Sequence, residues 1–197
     1  MILFPSNQRI NEIKKMFPDD TCGSVSAAIV FEKFKLDFDP QFFISNGRDG
    51  KKNTNYPENG SSVIGTALAI ASTGIVDVEV YSEFDIINDY GTLESYEKPI
   101  VDELKTLNNV IFYQPISIDD VISKLSVSCI PILAFNRNGD DKNGHFSPLR
   151  GFNSNFLLLP LNDSFGSCNC DKDTFSKIWW KHKVCILVKK KVNAPTP

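Results

Sequence analysis

Residues 19–34 read DDTCGSVSAAIVFEKF. Polar and small residues lead into a run whose apolar members fall at three- and four-residue steps, and a cysteine stands at the junction. Val25, Ile29, Val30 and Phe34 form a stripe suited to a helix buried on one side, so the spacing predicts a helix over 22–34. FPDDT breaks what precedes it, and Asp20 or Thr21 is placed to cap the new helix. Cys22 is then either a small hydrophobe at a helix start or a nucleophile. The second reading has a physical reason: exposed N–H groups and the positive end of the helix dipole favour a thiolate there.

Around this helix the pattern alternates between elements. NQRINEIKKM (7–16) predicts a short amphipathic helix with Ile10 and Ile13 on one face. Residues 46–62, polar and rich in Gly and Asn, read as a loop. VIGTALAIASTG (63–74) reads as a small-residue helix stopped by Gly74, and IVDVEVYSEF (75–84) as a half-buried strand. A helix over 97–110, a strand over 110–116, a helix over 116–127 and a buried strand, CIPILAFN (129–136), follow. GHFSPLRGF (144–152), NFLLLPLND (155–163) and KVCILVKK (183–190) complete a set of strands. Helices come first and strands mostly late, which predicts an α+β fold with an antiparallel sheet.

Length and composition bound the function. The chain has 197 residues, 42% hydrophobic and 23% charged, with 15 phenylalanines: enough for one well-packed domain, expected over 1–191, with VNAPTP (192–197) as a loose tail. A net charge of −3 gives no electrostatic case for nucleic acid as a partner. MILFPSNQRI is too short in apolar residues for a signal-peptide core, and no run approaches membrane-spanning length. Five cysteines is an odd number in a chain that needs no staples. We therefore expect a reducing, cytoplasmic setting, with secretion by a signal-less route also compatible.

Only two histidines are present, His145 and His182. His145 opens an apolar strand after the turn-rich RNGDDKNG, and Asp163 follows 18 positions later where the next strand runs out. A strand–turn–strand hairpin would set the start of the first strand beside the end of the second, making His145 and Asp163 neighbours. A thiolate needs a base beside it and a group that orients the base; Cys22, His145 and Asp163 supply these in order. Gly23 would let a substrate carbonyl approach the backbone, where the Cys22 N–H could hold an oxyanion. On spacing alone, a structural thiol and a catalytic one both stay open.

The Cys22 segment resembles the nucleophile segment of papain-like cysteine peptidases related to the bacteriocin-processing, double-glycine type. There, a cysteine–glycine pair is followed by small residues and an apolar helix. GHFSPLRGFNSNFLLLPLNDSFG is similar to that family's histidine strand and aspartate turn, and CDKDTFSKIWW to the segment in which a phenylalanine and a tryptophan close the domain. SIDDVISKLSVSCIPILAF matches the helix and strand that precede the histidine. The resemblance implies a papain-like fold in which the N-terminal helix carrying the cysteine packs on an antiparallel sheet. It also implies Cys22 as nucleophile, His145 as general base, Asp163 as orienting residue, a peptide or protein substrate and no cofactor. Two positions depart from the family: Ser24 stands where proline is common, and Lys15, Met16 and Phe17 occupy the stretch that usually supplies an oxyanion glutamine. Gln8 is the only upstream glutamine.

Other readings are weaker. Cys168 and Cys170, with Cys185 or His182, invite a metal, but one intervening residue is not zinc spacing and no second pair follows. His182 is expected at an exposed strand start, and Trp179–Trp180 as core closure. No glycine cluster forms a phosphate-cradling motif ahead of a helix. Within the thiol class, a degenerate domain that binds peptide without cutting it and an acyltransferase or transglutaminase-like enzyme remain alternatives.

Overall fold

The helix predicted at the cysteine is present and lies deeper than its stripe implies. In the computed structural model, residues 4–19, 21–47, 62–83, 97–136, 144–161, 169–179 and 183–191 are described. Helix α1 (Asn7–Lys14) starts at Ser6, whose hydroxyl accepts from the Arg9 N–H at 3.2 Å, and buries Ile10 and Ile13. Helix α2 (Cys22–Phe34) buries every residue from Gly23 to Phe31. A one-sided stripe was expected; instead Ser24, Ser26, Ala27 and Ala28 are small enough for neighbours to close in on the other faces. Asp20, the alternative cap, lies outside the described residues.

Helix α3 (Pro40–Gly47) has no counterpart in the sequence reading. Its start is nonetheless chemically marked: the Asp39 carboxylate accepts from the Gln41 N–H at 2.9 Å, and Pro40 occupies the first helical position. Phe43 meets Phe31 of α2 edge to face, with centroids 5.0 Å apart. Helix α4 (Val63–Ala71) is capped by Ser62, whose hydroxyl accepts from the Gly65 N–H at 2.8 Å. A Cβ on Gly65 would lie 2.2 Å from the Gly47 carbonyl oxygen, so glycine permits backbone contact between the end of α3 and the start of α4. The helix ends before Gly74, which turns the chain at φ 71° with its N–H on the Ala71 carbonyl. Most of the loop expected over 46–62 lies outside the described residues; positions 46–47 belong to α3.

The remaining elements are β1 (Val76–Tyr81), α5 (Lys98–Thr106), β2 (Val110–Tyr113), α6 (Ile118–Lys124), β3 (Cys129–Asn136), β4 (Gly144–Pro148), β5 (Gly151–Asn153), β6 (Phe156–Leu158), β7 (Asn169–Asp171), α7 (Lys172–Ile178) and β8 (Cys185–Lys190). A five-stranded sheet runs β2-β1-β8-β3-β4, and β5-β6-β7 form a second, antiparallel sheet. The large sheet is antiparallel, as expected, except that β2 runs parallel to β1 after the α5 crossover. Asn109 ties this end together: its amide donates to the Ala71 and Val76 carbonyls at 2.8 and 2.9 Å.

The single strand expected over 144–152 breaks in two. The Leu149 N–H bonds the Pro131 carbonyl at 2.7 Å, and one residue later the Arg150 N–H bonds the Leu158 carbonyl at 2.9 Å, so the chain leaves one sheet and enters the other. Among the described residues 155–161 of the strand expected over 155–163, only β6 is strand, and the three-residue β7 was not anticipated. One face of the large sheet, with Val78, Val80, Ile130, Ile132, Phe146 and Ile186, packs under α2, α4 and α5. The opposite face, with Leu133, Phe135, Cys185 and Leu187, packs under α6 and α7. Trp179 closes that second core as expected, donating from its ring N–H to the Val184 carbonyl at 3.1 Å; Trp180, His182 and the tail 192–197 lie outside the described residues. Among the described residues no helix is long and apolar enough to cross a membrane.

Candidate active site

Cys22 is the first residue of α2 and is half-buried, its side chain packed against the edge of the first core. Thr21 precedes it without capping the helix: its hydroxyl donates instead to the Pro18 carbonyl at 2.7 Å. The first turn of α2 carries no acidic side chain. The positive end of the dipole at Cys22 is therefore not offset by a carboxylate of that turn.

The other described cysteines sit differently. Cys129, Cys170 and Cys185 are all buried. Burial pushes the Cys129 thiol up, raises Cys170 to about 11 and holds Cys185 well above its ordinary range. These are neutral thiols at physiological pH and serve as small apolar side chains. Cys170 also approaches the Asp171 carbonyl with its sulfur at 3.5 Å, while Cys168, its partner in the metal reading, lies outside the described residues.

His145 is the second residue of β4, an edge strand of the large sheet that packs against α2. Strand alternation puts Phe146 on the α2 face and His145 with Ser147 on the other, where the ring meets Phe135 edge to face at 5.4 Å. The imidazole is buried, and its Nε2 lies 2.6 Å from the Leu161 carbonyl oxygen. A carbonyl can only accept, so Nε2 carries a proton and the neutral ring has its lone pair on Nδ1. The Leu161 N–H, in turn, donates to the Ser147 hydroxyl at 3.1 Å, and that hydroxyl donates to the Pro148 carbonyl at 3.3 Å.

The structure thus packs the strand of His145 against the helix that Cys22 opens, and brings the segment ahead of Asp163 onto the histidine. Asp163 itself lies outside the described residues, two positions beyond Leu161. A hairpin between 144–152 and 155–163 entails this return of the chain, but not the contacts of Ser147 and the Leu161 main chain. Their signal was present in HFS, where alternation puts residues 145 and 147 on one face, but their partner is 14 to 16 residues away. Gln8 is engaged elsewhere, its amide donating to Glu12 at 3.2 Å on the exposed face of α1.

No family model matches the chain, and its sequence matches no curated protein. Its structure is similar to the peptidase domain of Streptococcus ComA, a bifunctional ABC transporter involved in a quorum-sensing pathway, with a TM-score of 0.50 and 14% identity over 88% of this chain and 94% of that one. It is also similar to a Bacillus anthracis protein assigned as a C39-like peptidase, with a TM-score of 0.53 and 11% identity over 88% and 90% of the two chains. At such identities the likeness concerns architecture. The chain has the papain-like α+β fold of the C39 peptidases.

Proposed function

We propose that the protein is a cysteine peptidase, a thiol hydrolase of peptide or isopeptide bonds, with Cys22 as nucleophile, His145 as general base and Asp163 as orienting carboxylate. One observation carries the reading: in a C39-like fold, Cys22 opens the helix on which the histidine strand packs. The Nε2 proton directed to Leu161 supports it further, because it leaves the basic electron pair on Nδ1.

In this reading the Cys22 thiolate adds to the substrate carbonyl, and the Cys22 main-chain N–H helps to hold the oxyanion. His145, as imidazolium, gives its proton to the departing amine, leaving a thioester on Cys22. His145 then takes a proton from water, which attacks the thioester, releases the carboxylic acid and restores the thiolate–imidazolium pair. An amine in place of water would make the same intermediate an acyl transfer.

Incubation with a peptide library, followed by mass spectrometry of the intact protein, tests the proposal. A mass increase mapped to Cys22, absent from Cys22→Ala, is expected, with hydrolysed or amine-coupled products separating the two outcomes. Wild type indistinguishable from Cys22→Ala in both trapping and turnover would leave a peptide-binding domain without hydrolytic chemistry.

A further inference from the structure

Ser147 has no role in the mechanism just described, yet it is fully buried beside the histidine. A hydroxyl in such a position is costly unless it is bonded. It is bonded twice: it accepts from the Leu161 N–H at 3.1 Å and donates to the Pro148 carbonyl at 3.3 Å. Leu161 uses its other main-chain group on His145, placing its carbonyl oxygen 2.6 Å from Nε2. Two side chains on one face of β4, two residues apart, therefore grip the N–H and the C=O of a single residue.

We infer that Ser147 is a positioning residue of the candidate site: it fixes the Leu161 main chain so that its carbonyl holds the His145 ring as the Nε2–H tautomer, with Nδ1 as the basic nitrogen. The inference deepens the proposed function and its catalytic meaning rests on it, but the geometry belongs to the resting protein. Leu161 follows Pro160, outside regular secondary structure, with no ladder to fix its carbonyl direction. The Ser147 bond pins the N–H side of that residue, and the Pro148 carbonyl pins the Ser147 hydroxyl, so the chain of contacts ends on the strand that carries the histidine. A ring held this way keeps one tautomer and one plane, which a general base needs before substrate arrives. The role differs from that expected of Asp163: a main-chain carbonyl selects the tautomer without adding a charge.

The test uses the full chain with His182→Gln, which leaves His145 as its only histidine. Two-bond proton–nitrogen correlation spectra of the ¹⁵N-labelled protein are expected to show the Nε2–H tautomer when the ring is neutral, and the Leu161 amide is expected to exchange slowly with solvent. Ser147→Val should yield a mixture of tautomers and fast exchange at Leu161, with iodoacetamide labelling of Cys22 slowed about tenfold. Ser147→Thr has the same volume as the valine and keeps the hydroxyl, so it should restore all three. An Nδ1–H tautomer or a fast-exchanging Leu161 amide in the Ser147-containing protein overturns the inference, and neither measurement requires a Ser147 variant to fold. Valine and threonine variants that behave alike also overturn it. The failures separate: the expected tautomer and protection with an inert Cys22 would sink the peptidase reading alone, whereas a reactive Cys22 unaffected by Ser147→Val would sink the positioning role alone.

Discussion

Cys22 and Cys185 are the same residue in opposite settings. Cys185 begins β8 in the middle of the five-stranded sheet, fully enclosed, paired across to Tyr81 and Leu133. Burial, with Cys129 and Glu79 acting in the same direction, outweighs the opposing pull of Lys124 and holds its thiol protonated. Cys22 stands at the head of a helix, half-buried, ahead of a first turn without carboxylates. A thiol becomes chemistry through where the fold puts it, and a count of cysteines does not reveal that. The two positions together make the functional reading breakable.

The largest expected effect is catalytic. Cys22→Ala should lower acyl transfer to peptide by at least about a thousandfold, because the other described thiols, Cys129, Cys170 and Cys185, are buried. Cys185→Ala should leave turnover per folded molecule unchanged. Turnover assays normalised to active, folded protein check both, and equal losses would erase the distinction.

Next comes reactivity. At pH 7 and below, iodoacetamide should label Cys22 faster than it labels a free cysteine peptide, and about a hundredfold faster than Cys170, Cys129 or Cys185 in the folded chain. Peptide mapping after timed labelling measures the ratio. Cys22 labelling no faster than the model peptide would show that the helix head and His145 do not activate it.

How much of this was legible in the sequence depends on the range of the forces involved. The helix at 22–34 and the strands β3 and β8 were readable because each is a continuous pattern bounded by polar or turn residues. Helix α3 was missed because eight residues are too few to show a period, although Asp39–Pro40 marked its start. The break at Leu149–Arg150 was invisible because it depends on partners at Pro131 and Leu158. The parallel β1–β2 pair could have been anticipated from the strand–helix–strand order alone. The site divides in the same way. Cys22 and His145 stood out by position and scarcity, whereas the bond from Leu161 to His145 is a tertiary contact between backbone and ring.

Stability should reverse the order of the two thiols. Cys185→Ser puts a hydroxyl into an apolar, fully enclosed position and should cost about 2 kcal/mol. Cys22→Ser, at a half-buried helix start where serine is well tolerated, should stay within about 0.5 kcal/mol of the native protein. Urea unfolding midpoints at neutral pH decide this. A Cys22→Ser protein more destabilised than Cys185→Ser would point to a structural thiol at Cys22 and weaken the case for a nucleophile.

The smallest effect is a pH dependence carried by the buried thiols. A free thiol ionises near pH 8.5 in the unfolded chain, while burial raises Cys129, Cys185 and, to about 11, Cys170 in the folded one. The folded state therefore binds protons more tightly than the unfolded state at these sites. Their contribution is fully present below about pH 8.5 and is lost as pH climbs through the folded values, since the unfolded chain releases protons that the native one retains. Tyr81 adds in the same direction at still higher pH, its phenol raised by burial and by its bond to Glu79. Urea midpoints should accordingly fall between pH 8.5 and 11, and Cys170→Ala should flatten part of that slope. Cys22→Ala should change the slope less than Cys170→Ala, because Cys22 is half-buried and Cys170 buried. A slope that follows Cys22 and ignores Cys170 would invert the comparison between the two kinds of thiol.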